Sequence, residues 1–217
     1  MTYVKASVRR PAGNPGNGIQ PKDQLVIYDV DDILYFPPRN EAGVVIEEDI
    51  VMKAGRYAIG IYLTPGTAEI SSNSDGETDA EGYTPSVKFN HPGNEQEIRE
   101  FKTNWLSKKC IVVLRYCSGK PADLIGTPCN PCKLSVSYTG SNESNTNELT
   151  FTQISKGDDI AIYRGTDTLE EPVAVVEAGA TDIDYQTDGQ YQLSAGAAKI
   201  AGVTGGSHGS VICLLYT

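Results

Sequence analysis

Short runs of β-branched, aromatic and other apolar residues, each bounded by Gly, Pro, Asn or Asp, recur along most of this chain. Runs of this kind, many of them alternating with polar residues, are typical of β-strands. The clearest are LVIYD, VVI, IGIYL, CIVVLRYC, KLSVSY, LTFTQ, IAIY, VAVV and SVICLLYT. With 22 Gly and 12 Pro residues to form turns, the pattern predicts a mainly β fold, either a sandwich or a barrel.

One stretch, HPGNEQEIREFKTNWLSKK, departs from this pattern. Ile98, Phe101 and Trp105 follow one another at i, i+3 and i+7, which places them on one face of a helix. Asn94 suits the N-cap, and the lysines near the far end suit the negative pole of the helix dipole. The sequence therefore predicts one flanking helix over residues 94–107, packed on the sheet through these three side chains.

The formal charge of −10 limits the classes of partner that this protein can bind. Sequence-independent binding of DNA or RNA needs clustered Lys and Arg residues, so an acidic chain of this size is expected to repel phosphate. No apolar run approaches the length of a membrane span, and the first residues lack the apolar region of a signal peptide. We therefore expect synthesis in the cytoplasm and no membrane partner.

A Gly-Gly-Ser-His-Gly stretch at 205–209 matches the G-x-S-x-G pattern of a hydrolase nucleophile elbow. That pattern needs a helix after Ser207 and an acid and a histidine later in the chain. Only eight residues follow Gly209, and none of them is Asp, Glu or His. A glycine-rich turn explains the stretch better, and we expect no catalytic residue and no enzyme.

Five cysteines, without a signal peptide, favour free thiols over a disulfide framework. Cys129 and Cys132 form a C-x-x-C pair, and with Cys110 and Cys117 they leave a four-thiol zinc site as an alternative. Because an apolar run separates Cys110 from Cys117, a proline-closed turn is the simpler explanation.

Two acidic stretches, 29–32 and 71–86, suggest a phosphotransfer or metal cluster and a calcium loop, respectively, although the second lacks the bidentate Glu at the far end of such a loop. We interpret the first as a polar strand face or turn and the second as a long solvated loop. The sequence accordingly predicts no metal and no cofactor.

The longest hairpin signal is KLSVSYTGSNESNTNELTFTQ, residues 133–153, in which two alternating runs flank a polar loop over 140–147. Residues 9–21, RRPAGNPGNGIQP, are rich in Pro, Gly and Asn and predict an extended arm or long loop. A third feature, TDIDYQTDGQYQLSAG, predicts a further hairpin that turns at Asp188-Gly189.

This layout of an N-terminal arm, strands, one amphipathic helix and a long hairpin resembles the tail tube proteins of tailed bacteriophages. The stretch from FKTNWLSKKCIVVLRYCSG through KLSVSYTGSNESNTNELTFTQ to GDDIAIYRG is also similar to phage virion structural proteins. The resemblance covers residues 20–165. It implies a tail-tube-like β domain over 1–165, and it leaves 166–217 as additional strands or a small C-terminal β module.

The resemblance also implies a self-assembling subunit of the virion that forms a homo-oligomeric ring of six and stacks into a tube conducting DNA. Other virion proteins, such as the tape measure and the tail terminator, would be its partners. A DNA-conducting channel should repel phosphate, which agrees with the acidic balance of the chain. The residues expected to contact a neighbouring subunit are Arg9, Arg10, Tyr138, Thr139, Asn142, Asn145 and Thr146.

Two other classes of protein fit the same strand-rich sequence. A head decoration or head–tail connector protein of a phage would have a similar composition and would account for the additional C-terminal strands. A cell-surface binding module is a second alternative, although it would be expected to carry a signal peptide.

Overall fold

The structure, a computed structural model, describes residues 6–18, 20–117, 119–167 and 169, together with the backbone of five short strands between 174 and 216. The chain divides into two compact units, Met1–Leu169 and Glu170–Thr217.

The first unit is mainly β with one α-helix among its described residues, which confirms the predicted fold class. The helix, α1, spans Gln96–Trp105, and a single 3-10 turn spans Val30–Asp32. The strands are β1 Pro21–Asp29, β2 Ile33–Tyr35, β3 Val45–Ile46, β4 Val51–Met52, β5 Ile59–Tyr62, β6 Glu69–Asp75, β7 Gly82–Pro92, β8 Cys110–Tyr116, β9 Ala122–Ile125, β10 Cys132–Gly140, β11 Asn145–Gln153 and β12 Ala161–Tyr163.

Ten of these strands form one mixed sheet that folds into two layers. One layer has the order β5-β1-β8-β9-β12-β3, and the other is the antiparallel set β10-β11-β7-β6. The layers are continuous through a single pair, Cys110 opposite Cys132. Their facing sides enclose an apolar core that includes Leu25, Val112 and Phe151, so the architecture is a sandwich.

The central strands β1 and β8 are buried on both faces. In β1, Leu25 and Ile27 lie in the core between the layers, whereas Val26 and Tyr28 lie in a second core on the opposite side. That second core is completed by β3, β12 and the chain around Ile50. Burial on both faces explains why β1 and β8 are continuous apolar runs instead of alternating ones.

The helix packs on the core between the layers. Ile98 belongs to that core, and Phe101 and Trp105 pack against it with their rings stacked at 5.7 Å. The predicted N-cap was wrong, because Glu95 occupies that position and makes no side-chain capping bond. Asn94 instead directs its Oδ1 at Lys102 Nζ, 2.9 Å away, and so serves a tertiary contact.

Two predicted connections were also wrong. Most of residues 71–86 is not a loop, because β6 and β7 pair over Glu69–Asp75 and only 76–81 form the turn. The stretch GVVIEEDIVMKAGRYAIGIYLTP predicts two strands joined by a turn at 53–55, but these strands form no hairpin, since β4 pairs with β2 and β5 pairs with β1. In both cases long-range pairing decided the partner, which local turn chemistry does not specify.

The second unit contains strands β13 Ala174–Val176, β14 Asp182–Asp184, β15 Gln190–Leu193, β16 Gly202–Thr204 and β17 Cys213–Tyr216. The pairs between these described strands are all parallel, in the orders β13-β15-β17 and β14-β16. The predicted hairpin at 188–189 was therefore wrong, since β14 and β15 belong to different sheets. The turn residues themselves lie outside the described residues.

Candidate assembly edges

The predicted hairpin of residues 133–153 is formed by β10 and β11, which pair without interruption from Cys132–Gln153 to Gly140–Asn145. Its loop is shorter than the predicted 140–147 and consists of 141–144. The Ser141 N–H donates to the Ser144 carbonyl at 2.7 Å, and the Ser144 N–H donates to the Ser141 hydroxyl at 3.0 Å. Local polar side chains thus close the turn and keep both strands in register to their ends.

β10 is paired along only one of its edges over residues 133–140. In an antiparallel ladder, alternate residues turn their backbone N–H and C=O groups toward opposite edges. The backbone N–H and C=O groups of Cys132 face β8. The same groups of every second residue after Cys132 therefore face away from β11, and no described strand pairs with those residues on that edge. These residues are Leu134, Val136, Tyr138 and Gly140.

β6 provides a second open edge at the other end of the same layer. Ser74 lies opposite Tyr83, whose N–H and C=O are both bonded to Gly157, at 2.9 and 3.0 Å. Ser74 therefore turns its own backbone groups away from β7, as do Ser72 and Ile70 by alternation. The Ser72 hydroxyl is also buried without a hydrogen-bond partner among the described residues.

The two open edges are similar in length and run in opposite directions. β6 has seven residues, and the open stretch of β10 covers 133–140. Three antiparallel steps separate the strands, so β6 and β10 run in opposite directions. A neighbouring copy in the same orientation would bring its β6 beside this β10 as an antiparallel pair, and the layer would continue from copy to copy.

The two faces of this four-stranded layer differ in chemistry. One face carries Val87, Phe89, Leu134 and Phe151 into the core. The other face is hydroxyl-rich, with Ser71 Oγ and Ser86 Oγ 3.0 Å apart. Its charges include an ion pair of Lys88 with Glu69 at 3.2 Å. One polar and one apolar face is the pattern of an antiparallel sheet that covers a core on one side only.

The helix braces the hairpin near its tip. Asn147, fully buried in β11, accepts from Lys102 Nζ at 2.6 Å and donates to the Gly93 carbonyl at 2.5 Å. Lys102 Nζ also lies 5.2 Å from the centre of the Tyr138 ring. Desolvation, and then the charge of Arg99, lower the pKa of Lys102 below its usual value. These contacts fix β10 in position against α1.

The structure brings five of the predicted contact residues together at the hairpin tip, which holds Tyr138, Thr139, Asn142, Asn145 and Thr146. Tyr138 is 46 % exposed, and Thr146 is half-buried beside Ser144. Arg9 and Arg10 are elsewhere, in the arm of residues 6–18, which is exposed throughout. Arg10 donates to Gly13 within that arm at 3.4 Å.

The four cysteines of the first unit do not converge on one site. Cys110 and Cys132 are buried, whereas Cys117 and Cys129 are exposed. Burial raises the pKa of the Cys110 thiol to about 12, and burial also raises the pKa of Cys132. Among the described residues, no group of three His, Cys, Asp or Glu is arranged to hold a metal ion.

Two other candidates from the sequence are Asp29, which has a structural role, and Ser207, which lies outside the described residues. Asp29 pairs with Lys108 and accepts from the Asp31 N–H at 3.2 Å, which caps the 3-10 turn. Residues 205–209, with Ser207, lie outside the described residues.

Sequence reasoning missed the β6 edge because the polar run SSNSD contains no apolar alternation. The available signal was its neighbour β7, where Val87 and Phe89 alternate with polar residues, as in a strand with one buried face; β7 pairs with β11 and with β6.

Comparison with protein-family models, curated proteins and solved structures gives no match to this chain. Within the described residues, no helix has the length and the apolar character of a membrane span.

Proposed function

We propose that this chain is a self-assembling structural subunit of a virion, in which the β10 edge of one copy pairs with the β6 edge of the next. Repetition of one such contact around an axis closes a ring, because a heterologous interface closes when its rotation divides a full turn. Stacked rings would then form the tube of a bacteriophage tail, the role that the sequence resemblance implies. Other virion proteins would bind at the ends and in the channel of the tube.

The observation that carries the proposal is the pair of open, oppositely directed edges on one four-stranded layer. Natural proteins usually protect exposed sheet edges with charges, prolines or covering segments. The open stretch of β10, KLSVSYTG, has a single charged residue, Lys133, at its inner end. Strand addition by a neighbour would satisfy the four residues that face outward.

The charge distribution supports contact between copies through the arm as well. The arm of residues 6–18 holds Arg9 and Arg10 and no acidic residue, a formal charge of +2. The other 204 residues carry 16 basic and 28 acidic side chains, a formal charge of −12. An exposed basic arm on an acidic body favours docking of the arm on a neighbouring copy, which carries the opposite charge.

Proline substitution at the open edges tests the proposal. Tyr138→Pro removes an N–H that faces the open edge of β10, a position where a sheet tolerates proline. Tyr138→Ala is the matched control, because it removes the same side chain and keeps the N–H. Ser72→Pro and Ser72→Ala form the equivalent pair in β6.

We expect both proline variants to fold but to form no rings or tubes in negative-stain images, while both alanine variants form the rings or tubes of the unsubstituted protein. Circular dichroism would check that each variant is folded. Equal assembly by all four variants, or a monomeric unsubstituted protein at every concentration tested, would refute edge pairing.

A further inference from the structure

The second unit has the chain path of a short coil. Strands alternate between its two sheets in chain order, so that each turn adds one strand to each parallel ladder. The turn lengths, taken between register partners, are 17, 20 and 23 residues: Ala174 to Tyr191, Asp182 to Gly202 and Gln190 to Cys213. This is the winding of a β-solenoid, and its unequal turns explain why the sequence shows no fixed repeat.

The ends of this coil are its two outer strands. Among the described strands, β13 pairs only with β15 on one side, and β17 likewise pairs only with β15. Neither strand contains a charged residue, since their sequences are AVV and CLLY. Edges exposed to solvent are normally protected by charge, so the composition of both strands favours a partner.

We propose that the second unit joins copies of this chain head to tail, with β17 of one copy paired to β13 of the next. All three strands of this ladder are parallel, so β13 of a second copy can follow β17 and continue the ladder in the same direction. Coils of repeating units need about three or more repeats and covered ends to be stable. A unit of fewer than 50 residues gains that stability from a second copy.

The register predicts which residues meet across this contact. Ala174, Tyr191 and Leu214 share one column of the ladder. In the continued ladder, Ala174 of the next copy follows Leu214 in that column. Within one copy, β15 separates these two residues by two strand spacings, roughly 10 Å, which is too far for a disulfide.

Disulfide trapping of the full-length protein tests this contact. In a background in which Cys213 and the exposed Cys117 and Cys129 are replaced by Ser, Ala174→Cys combined with Leu214→Cys should give a ladder of dimers, trimers and larger species on non-reducing gels after mild oxidation. The two single variants cannot form chains of copies. The matched double variant, Ala174→Cys with Val203→Cys, places its second thiol in the other sheet and should give no ladder.

The same experiment in the Tyr138→Pro background separates this inference from the proposed ring. A ladder there would show that the second unit joins copies without the β10 edge. Monomers only, or the same products from both double variants, would overturn the inference, and the outcome for the ring would be unaffected.

Discussion

Strands β8 and β10 differ in burial and in edge pairing, and the difference separates a strand of the interior from a strand with an open edge. β8 pairs with β1 and β9 and is buried on both faces, with the sequence CIVVLRY. β10 is paired fully along one edge only, and its sequence, CKLSVSYTG, alternates. A strand that is buried on both faces is a continuous apolar run, whereas an alternating strand with an open edge and little charge lacks the usual protection of an exposed sheet edge.

The largest expected effect comes from placing proline in β8 instead of β10. Val113 is fully buried and lies between Val26 of β1 and Leu124 of β9. Val113→Pro removes a ladder hydrogen bond and inserts a ring where there is no space, so we expect the protein not to fold. Circular dichroism and solubility would measure this.

Tyr138→Pro provides the comparison, since it should retain a cooperative unfolding transition. If Val113→Pro folds as well as Tyr138→Pro, the distinction between the central strand and the edge strand is incorrect.

Strand content, the helix and the 133–153 hairpin could be predicted from the sequence because each depends on local pattern. The spacing of i, i+3 and i+7 was sufficient to place Ile98, Phe101 and Trp105 on one face of the helix. The pairing of β5 with β1, and of β6 with β7, could not be predicted, because both depend on contacts across the fold. The parallel ladders of the second unit were hidden for a similar reason, since local turn residues suggested a hairpin.

The sequence predicted the hairpin tip but not the open edge of β10. The hairpin tip was visible as a polar loop between two alternating runs. That β10 lacks a strand on its outer side depends on where β8 begins, because residues 133–140 extend past Cys110, the first residue of β8, and the pairing of Cys110 with Cys132 is a contact across the fold. The brace on the hairpin was also hidden, because Lys102 and Asn147 are 45 residues apart and meet only in the fold.

The next largest effect tests how firmly β8 is fixed to the second core. Arg115 donates to Asp167, whose side chain is 5 % exposed, and to the Gly165 carbonyl at 2.7 Å. Asp167 also accepts from the Tyr28 hydroxyl at 2.5 Å. Arg115→Met leaves a buried carboxylate without its cation, so we expect a loss of about 3–5 kcal/mol in the free energy of unfolding.

The control for this change is Arg164→Met, which breaks an ion pair with Glu47 in which both side chains are half exposed. Exposed pairs of this kind contribute at most about 1 kcal/mol. Urea denaturation of both variants would measure the difference, and equal losses would contradict the assignment of the Arg115 pair to the interior.

The smallest effect is a pH dependence that distinguishes an aspartate at the core margin from one on the β6 turn. Burial raises the pKa of the Asp123 carboxyl above its usual value, Asp159 adds to this rise, and a hydrogen bond from the Tyr116 hydroxyl opposes it. At Asp75, which is exposed, the hydrogen bond and charge of Lys156 lower the pKa. The two carboxyl groups should therefore change stability in opposite directions.

A raised pKa means that the folded state binds the proton more tightly than the unfolded state. Asp123 therefore stabilises the fold below the usual aspartate pKa of about 3.9, and this contribution is lost as pH rises through the raised value. Asp123→Asn should gain stability relative to the unsubstituted protein as pH rises from about 4. Asp75→Asn should lose relative stability at lower pH, as the pH rises toward about 3.9, because folding favours the Asp75 carboxylate and its contribution is complete above that value. Urea midpoints measured on both sides of about pH 3.9 would show the two variants changing in opposite directions relative to the unsubstituted protein, and curves parallel to that of the unsubstituted protein would contradict both assignments.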